Sequence, residues 1–270
     1  MHRHAVLGQP VAHSLSPKIH AQFAAQTGVE LEYQAIETAS ADFAETLARL
    51  HAEGLRGLNV TLPHKLAAFD ASAERSDAAG IAKAVNTLTR TKHGWRGDNT
   101  DGTGLVRDLV QNPKFGIRGR NILLLGAGGA VRGILKPLLD EKPSELTLSN
   151  RNPWKPELLA SEFKAYGNLR PCSHMALKGD LFDLVINATS AGHTGEMVKL
   201  PGQLLAKDGA CYDLSYGKAF EPFRAWAAAQ GAAVIADGIG MLVEQAAAAF
   251  ELWHGIRPKT APVIAALRSA

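Results

Sequence analysis

Asn59, Thr61 and Lys65 are the residues whose types and spacing bear most directly on chemistry, in the run Asn59-Val60-Thr61-Leu62-Pro63-His64-Lys65. Leu55, Leu58, Val60 and Leu62 supply the apolar positions of a buried strand. Asn59 and Thr61 stand two apart and so face the same side of that strand. Pro63 suits a first helical position, where its missing N–H costs nothing. Lys65 then falls in the first helical turn above the strand end, where crevices of open α/β sheets bind ligands. A polar pair beside an amine suits a small hydroxylated or carbonyl compound. The plainer reading is a strand, a turn and a surface lysine.

Other stretches offer matching chemistry. Ser14-Leu15-Ser16-Pro17 opens a helix on Ile19, Phe23 and Ala24, with Ser16 as N-cap and Pro17 at N1. Two hydroxyls beside free N–H groups and a positive helix end favour a carboxylate, or they only cap the helix. Asn86 interrupts the apolar run Ala84-Val85-Asn86-Thr87-Leu88. A buried Asn needs partners, so it is either a structural bridge or a ligand contact. Asp101 sits in a polar, glycine-rich turn from Trp95 to Gly104, and a helix-capping role is open to it as well.

The character of the chain changes after Arg120. Asn121 to Leu125 is an apolar run of parallel-strand type, Gly126-Ala127-Gly128-Gly129-Ala130 follows, and a helix runs from Val131 to Leu139 through Pro137. Strand, glycine turn and helix in that order form the context of a dinucleotide site, where the helix N-terminus meets a pyrophosphate. Val131 occupies the third glycine position, so the pattern is a variant. The next strand, Glu145 to Asn150, ends in Arg151, and no acidic residue lies between Asn150 and Lys155. An arginine in place of the ribose-binding carboxylate can meet a 2′-phosphate, which favours NADP over NAD.

The elements that must position these groups alternate along the chain. Strands are expected at His4–Leu7, Leu31–Ile36, Phe182–Thr189, Ala210–Leu214 and Ala233–Ala236. Helices are expected over 42–51, 73–82, 105–110, 220–230, 241–253 and 261–267. Alternation of this kind implies a parallel sheet covered on both faces in the later part of the chain. The fold class is α/β.

Composition sets the bounds. At 270 residues the chain has room for two domains, and 46% hydrophobic with 20% charged residues is a globular balance. A net charge of +3 from scattered basic residues suits small anions rather than a nucleic-acid surface. Cys172 and Cys211 have neither disulfide-framework nor zinc spacing, so no metal and a reducing compartment are expected. The start breaks at Gly8-Gln9-Pro10 before a signal-peptide core can form, and no run approaches the roughly 18 apolar residues of a membrane span. A cytoplasmic protein follows, with no nucleic-acid or membrane partner and a monomeric or homodimeric state.

Taken together, the motifs resemble the shikimate dehydrogenase family over nearly the whole chain. The carriers are Ser14 to Pro17, Asn59 to Lys65, Ala84 to Thr87, Asp98-Asn99-Thr100-Asp101-Gly102, Gly126 to Ala130, Asn150-Arg151, Asn187-Ala188-Thr189-Ser190 and Gly238 to Gln245. Several such motifs in this order and spacing are very specific. The resemblance implies reversible reduction of 3-dehydroshikimate to shikimate with NADPH, in the route to chorismate and the aromatic amino acids. It implies two domains: a discontinuous α/β substrate domain from 1–103, rejoined by C-terminal helices in 238–270, and a Rossmann-like NADP domain in 104–237.

By the same resemblance, Lys65 would be the acid–base group with Asp101 as its partner. Ser14 and Ser16 would hold the substrate carboxylate, Thr61, Asn86, Asp101 and Gln245 its ring hydroxyls, and Tyr216 would close over it. Gly126, Ala127, Gly128, Gly129, Ala130, Asn150, Arg151, Asn152, Lys155, Thr189, Leu214 and Gly238 would line NADP, with Asp77 also on the cofactor side. Two positions depart from the family pattern. Asn152 stands where Thr is common, and Lys155 stands where many members have a second arginine, giving a point charge instead of a planar fork. Two alternatives accompany this expectation: a dual quinate/shikimate dehydrogenase, with NAD or NADP as its cofactor, and a non-catalytic NADP-binding sensor on the same scaffold.

Overall fold

The computed structural model describes residues 1–269. The chain forms two compact units, Met1–Gly104 together with the segment from Leu242 onward, and Leu105–Met241. The first unit is therefore assembled from two separated stretches of sequence.

Strands of the first unit are β1 (His2–Gly8), β2 (Leu31–Glu37), β3 (Gly57–Val60), β4 (Glu74–Arg75), β5 (Thr87–Thr91) and β6 (Gly94–Asp98). Among them lie α1 (Ser16–Thr27), α2 (Phe43–Ala52), α3 (Lys65–Ala71) and α4 (Asp77–Ala82), before α5 (Asp101–Gln111) leads into the second unit. The sheet order is β2-β1-β3-β5-β6-β4. β1 pairs parallel with β2 and β3, whereas β5 runs antiparallel to both β3 and β6. Phe43, Leu47 and Leu50 share one face of α2 and bury it against Leu7, Leu58, Val60 and Trp95.

The second unit contains β7 (Asn121–Leu125), α6 (Gly129–Asp140), β8 (Glu145–Asn150), α7 (Trp154–Glu162), β9 (Leu169–Ser173), β10 (Phe182–Asn187), β11 (Leu205–Asp213), α8 (Glu221–Ala229) and β12 (Val234–Ala236). Helix α9 (Ile239–His254) returns the chain to the first unit, and α10 (Ala261–Arg268) follows. The sheet reads β9-β8-β7-β10-β11-β12, and every pairing in it is parallel. Strand order reverses between β7 and β10, the switch point at which such sheets bind dinucleotides. Ile122 to Leu125 and Leu184 to Ile186 are fully buried, which is why both read as continuous apolar runs.

Several sequence expectations need correction. The run 73–82 is not one helix: Glu74 and Arg75 pair with β6 as a short strand, and Ser76 caps α4 by accepting from the Ala79 N–H at 3.2 Å. The strand expected from Ala84 begins only at Thr87, because the preceding segment bends to present Asn86 inward. Trp95 to Asp98 belongs to β6 rather than to a turn. Here sheet pairing overrides a glycine-rich composition. α5 starts at Asp101 rather than Leu105, and α6 at Gly129 rather than Val131. α7 and β9 had no counterpart in the sequence reading.

Candidate active site

β3 ends at Val60, and Thr61 extends it by one hydrogen bond, its N–H donating to the Leu7 carbonyl at 2.9 Å. Residues 62–64 then turn, with the His64 N–H on the Thr61 carbonyl at 2.9 Å. Pro63 lies in this turn after a cis Leu62–Pro63 bond and is not the first helical residue. His64 occupies the cap position, anchored by its buried ring. That ring stacks on Phe43 at 4.7 Å, and Nε2 donates to the Thr38 carbonyl at 2.7 Å. Lys65 is consequently the first residue of α3, and its carbonyl accepts from the Val85 N–H at 2.9 Å.

Lys65 Nζ meets Asp101 Oδ2 at 2.5 Å, with side chains only 16% and 7% exposed. Removing one member of so sheltered a pair leaves the other's charge uncompensated. Asp101 Oδ1 accepts from Asn86 Nδ2 at 2.8 Å. The same amide also reaches Thr100 Oγ1 at 3.0 Å and Gln245 Oε1 at 3.3 Å. Asn86 Oδ1 accepts from the Thr100 N–H and the Thr87 hydroxyl, each at 2.9 Å. Asp101 is the first residue of α5, and its N–H is taken by Asn99 Oδ1 at 3.1 Å. Lys65, Asn86, Asp101 and Gln245 thus converge from α3, the approach to β5, α5 and α9.

Thr61 is half-buried, and its hydroxyl has no partner among the described residues. A Cβ on Gly8 would come within 2.5 Å of the Thr61 methyl, so that approach requires glycine. Ser16 is the first residue of α1 rather than its cap; the capping position is Leu15, without a side-chain bond, and Ser14 Oγ accepts from the Ser16 N–H at 3.3 Å. Pro17 suits the second helical position equally, because that N–H is also an orphan.

In the second unit Gly126 has φ +115°, and a Cβ there would lie 2.9 Å from the Ala188 carbonyl. Only glycine allows this left-handed turn at the strand-order reversal. Gly128 and Gly129 face open space at the N-terminus of α6, beside Ala127 and Ala130. The absence of side chains keeps room for a pyrophosphate against the helix end. Val131 is fully buried and packs into the core. Asn150 Oδ1 accepts from the Arg151 N–H at 2.9 Å, while Arg151, Asn152 and Lys155 are exposed, with Lys155 Nζ 5.8 Å from the Trp154 ring centre. The donor set therefore fits a phosphorylated dinucleotide.

At the ends of β10 and β11, Thr189 Oγ1 donates to Asn187 Oδ1 at 2.8 Å, and Asn187 Nδ2 donates to Asp213 Oδ2 at 3.0 Å. Burial pushes the Asp213 carboxyl up to about 6. A Cβ on Gly238 would sit 2.1 Å from the Leu214 carbonyl, so these two predicted cofactor residues are immediate neighbours. Tyr216 precedes a short 3-10 turn in the second unit, and burial raises its phenol. Asp77 lies in the first turn of α4 and so in the first unit, whereas the rest of the predicted cofactor set belongs to the second.

Residues that support the site from behind complete the picture. Thr87, Asn99 and Thr100 hold Asn86 and Asp101, and each stands beside a residue already singled out. Asn59, expected from its spacing to share a ligand-facing side with Thr61, instead points inward, its amide donating to the Asn86 carbonyl and to Thr87 Oγ1, both at 3.3 Å. Tyr33 gave no signal, since it read as one more apolar strand position.

Family comparisons agree along the chain. Residues 6–88 match the shikimate dehydrogenase substrate binding domain, 108–199 the shikimate / quinate 5-dehydrogenase model, and 238–268 the shikimate 5′-dehydrogenase C-terminal domain. A Nitrosospira multiformis protein named shikimate dehydrogenase (NADP(+)) is 48% identical over 267 residues, covering 99% of this chain and 97% of its own. An Ael1 enzyme from Pseudomonas putida superposes with a TM-score of 0.93 at 44% identity, covering 99% of this chain and 98% of its own. Shikimate 5-dehydrogenase from Thermus thermophilus, in complex with NADP(H) and shikimate, gives 0.85 at 32% identity over 100% of this chain and 99% of its own. With identity at this level from end to end, the chain belongs to the shikimate dehydrogenase family.

Proposed function

We propose that the protein reduces 3-dehydroshikimate reversibly to shikimate with NADPH, in the biosynthesis of chorismate and the aromatic amino acids. The observation that carries this reading is the sheltered Lys65–Asp101 pair at 2.5 Å, tied through Asn86 to Gln245. Bound NADPH supplies the hydride. Lys65 Nζ then gives a proton to the oxygen that becomes the new hydroxyl, and removes it in reverse. Asp101 orients the ammonium and balances its charge. Thr61, Asn86 and Gln245 take the ring hydroxyls, Ser14 and Ser16 the carboxylate, and Tyr216 covers the ring.

For the cofactor, Gly126 to Ala130 and the N-terminus of α6 would hold the pyrophosphate. Arg151, with Asn150, Asn152 and Lys155, would meet the 2′-phosphate. Thr189, Leu214 and Gly238 would line the nicotinamide half, with Asp77 on the cofactor side. The free thiols of Cys172 and Cys211 support a reducing, cytoplasmic setting, and no helix among the described residues is long and apolar enough to cross a membrane.

The test is consumption of NADPH by purified protein given 3-dehydroshikimate, repeated with NADH. No consumption with either cofactor would overturn the reading. A second reading, activity on quinate as well, draws support from the shikimate / quinate family model over 108–199. Oxidation of quinate at a rate comparable with shikimate would establish it.

A further inference from the structure

Tyr33 belongs to β2, yet its hydroxyl donates to Asn59 Oδ1 on β3 at 2.7 Å. The ring is held independently of that hydroxyl. It stacks on His20 with centroids 4.2 Å apart and planes 7° from parallel. His20 is itself fully buried, between Phe23, Phe250 and Trp253. The phenol oxygen is therefore delivered to one spot by packing alone.

What that oxygen does follows from the chemistry of an amide. Asn59 is 6% exposed and can turn either end toward a neighbour. The Tyr33 proton fixes Oδ1 on its own side, which leaves Nδ2 to donate to the Asn86 carbonyl and Thr87 Oγ1, both at 3.3 Å. Thr87 in turn donates to Asn86 Oδ1 at 2.9 Å, so Asn86 must present Nδ2 to Asp101 Oδ1 at 2.8 Å. The other carboxylate oxygen of Asp101 receives Lys65 at 2.5 Å. The donor–acceptor choices agree from the phenol to the ammonium, and the Thr100 N–H, donating to Asn86 Oδ1 at 2.9 Å, holds the Asn86 end in the same orientation.

We propose that Tyr33 is a positioning residue for Lys65, acting through Asn59, Asn86 and Asp101. The inference rests on the proton-transfer role given to Lys65 above. Buried amide chains of this kind hold only when every member is satisfied. Without the phenol proton, Asn59 Oδ1 loses its 2.7 Å hydrogen bond, and turning the amide over would set its oxygen against the Asn86 carbonyl.

The experiment is Tyr33→Phe, which keeps the stack on His20 and removes one oxygen. Wild-type turnover of 3-dehydroshikimate with NADPH comes first, so that failure of the functional reading is seen separately. In an active protein, Tyr33→Phe should lower kcat about tenfold, the value of one buried hydrogen bond, with KM for NADPH unchanged. In a Lys65→Ala background the same substitution should cost less than about twofold, because there is no lysine left to position. A loss of less than about twofold in the wild-type background, or an equal loss in both, would overturn the proposal. Side-chain amide NMR of the unaltered protein reads the contact without substitution. Asn59 NH2 protons slow to exchange and fixed in orientation support it, and a freely flipping amide refutes it.

Discussion

The substrate-side cluster of the first unit and the glycine turn of the second solve opposite problems. Around Lys65 the polar side chains are sheltered and answer one another: Asp101, Asn86, Thr100 and Gln245 interlock within 3.3 Å. Around Gly126 the useful groups are backbone amides at a helix end and exposed charges at Arg151 and Lys155, with open space before them. Moving a proton needs fixed orientation in a sheltered place, whereas grasping a phosphate needs access and positive field. Substitutions should therefore separate sharply into losses of turnover and losses of cofactor affinity.

The largest expected effect lies in the first cluster. Lys65→Ala should lower kcat at least about a hundredfold, leaving NADPH affinity by fluorescence titration nearly intact. Parallel loss of both would erase the division between the two regions.

Acid should distinguish the units next. His4 and His20 are almost wholly buried, and burial lowers each imidazole from 6.5 to about 3. Only the unfolded chain takes up these protons between those values, so their stabilisation is complete above pH 6.5 and drains away as pH falls toward 3. At pH 5 the loss is about 2 kcal/mol for each histidine. Asp213 in the second unit has the opposite sign. Its carboxyl is raised from 3.8 to about 6, so the fold holds the proton more tightly and that stability is lost as pH rises through 6. Hydrogen exchange followed peptide by peptide should show β1 and α1 weakening in acid, while β10 and β11 do not follow. A uniform response would remove the contrast.

A smaller effect belongs to the phosphate side. Arg151→Ala should weaken NADPH binding about tenfold, the usual value of one charged contact, and leave NADH binding unchanged in the same titration. Smaller still, Ser14→Ala should raise KM for 3-dehydroshikimate a few-fold with kcat kept, since a carboxylate is held alike in ground and transition states. A lowered kcat at unchanged KM would assign that serine to the chemistry instead.

The parts legible in the sequence were those with a local cause. Ile122 to Leu125 announced a parallel strand because both of its faces are covered, and Gly126 announced its turn because φ +115° excludes a side chain. Phe43, Leu47 and Leu50 announced α2 by spacing alone. Less legible was anything decided by a distant strand. Trp95 to Asp98 looked like a turn until β5 supplied an antiparallel partner, and Pro63 looked helical until the buried His64 ring took the cap position.

By itself the sequence determined the alternation of elements, the glycine turn and the absence of an acidic residue from 150 to 155, while the pairing of Lys65 with Asp101 was implied by the family resemblance. Tertiary structure alone decided how they meet. Lys65 and Asp101 are 36 residues apart, and Asn86 and Gln245 are 159 apart. Tyr33 gained its contact with Asn59 only through the order β2-β1-β3. Propensity and spacing act over a few residues, whereas the orientation of a buried amide is set by whichever groups the folded chain closes around it.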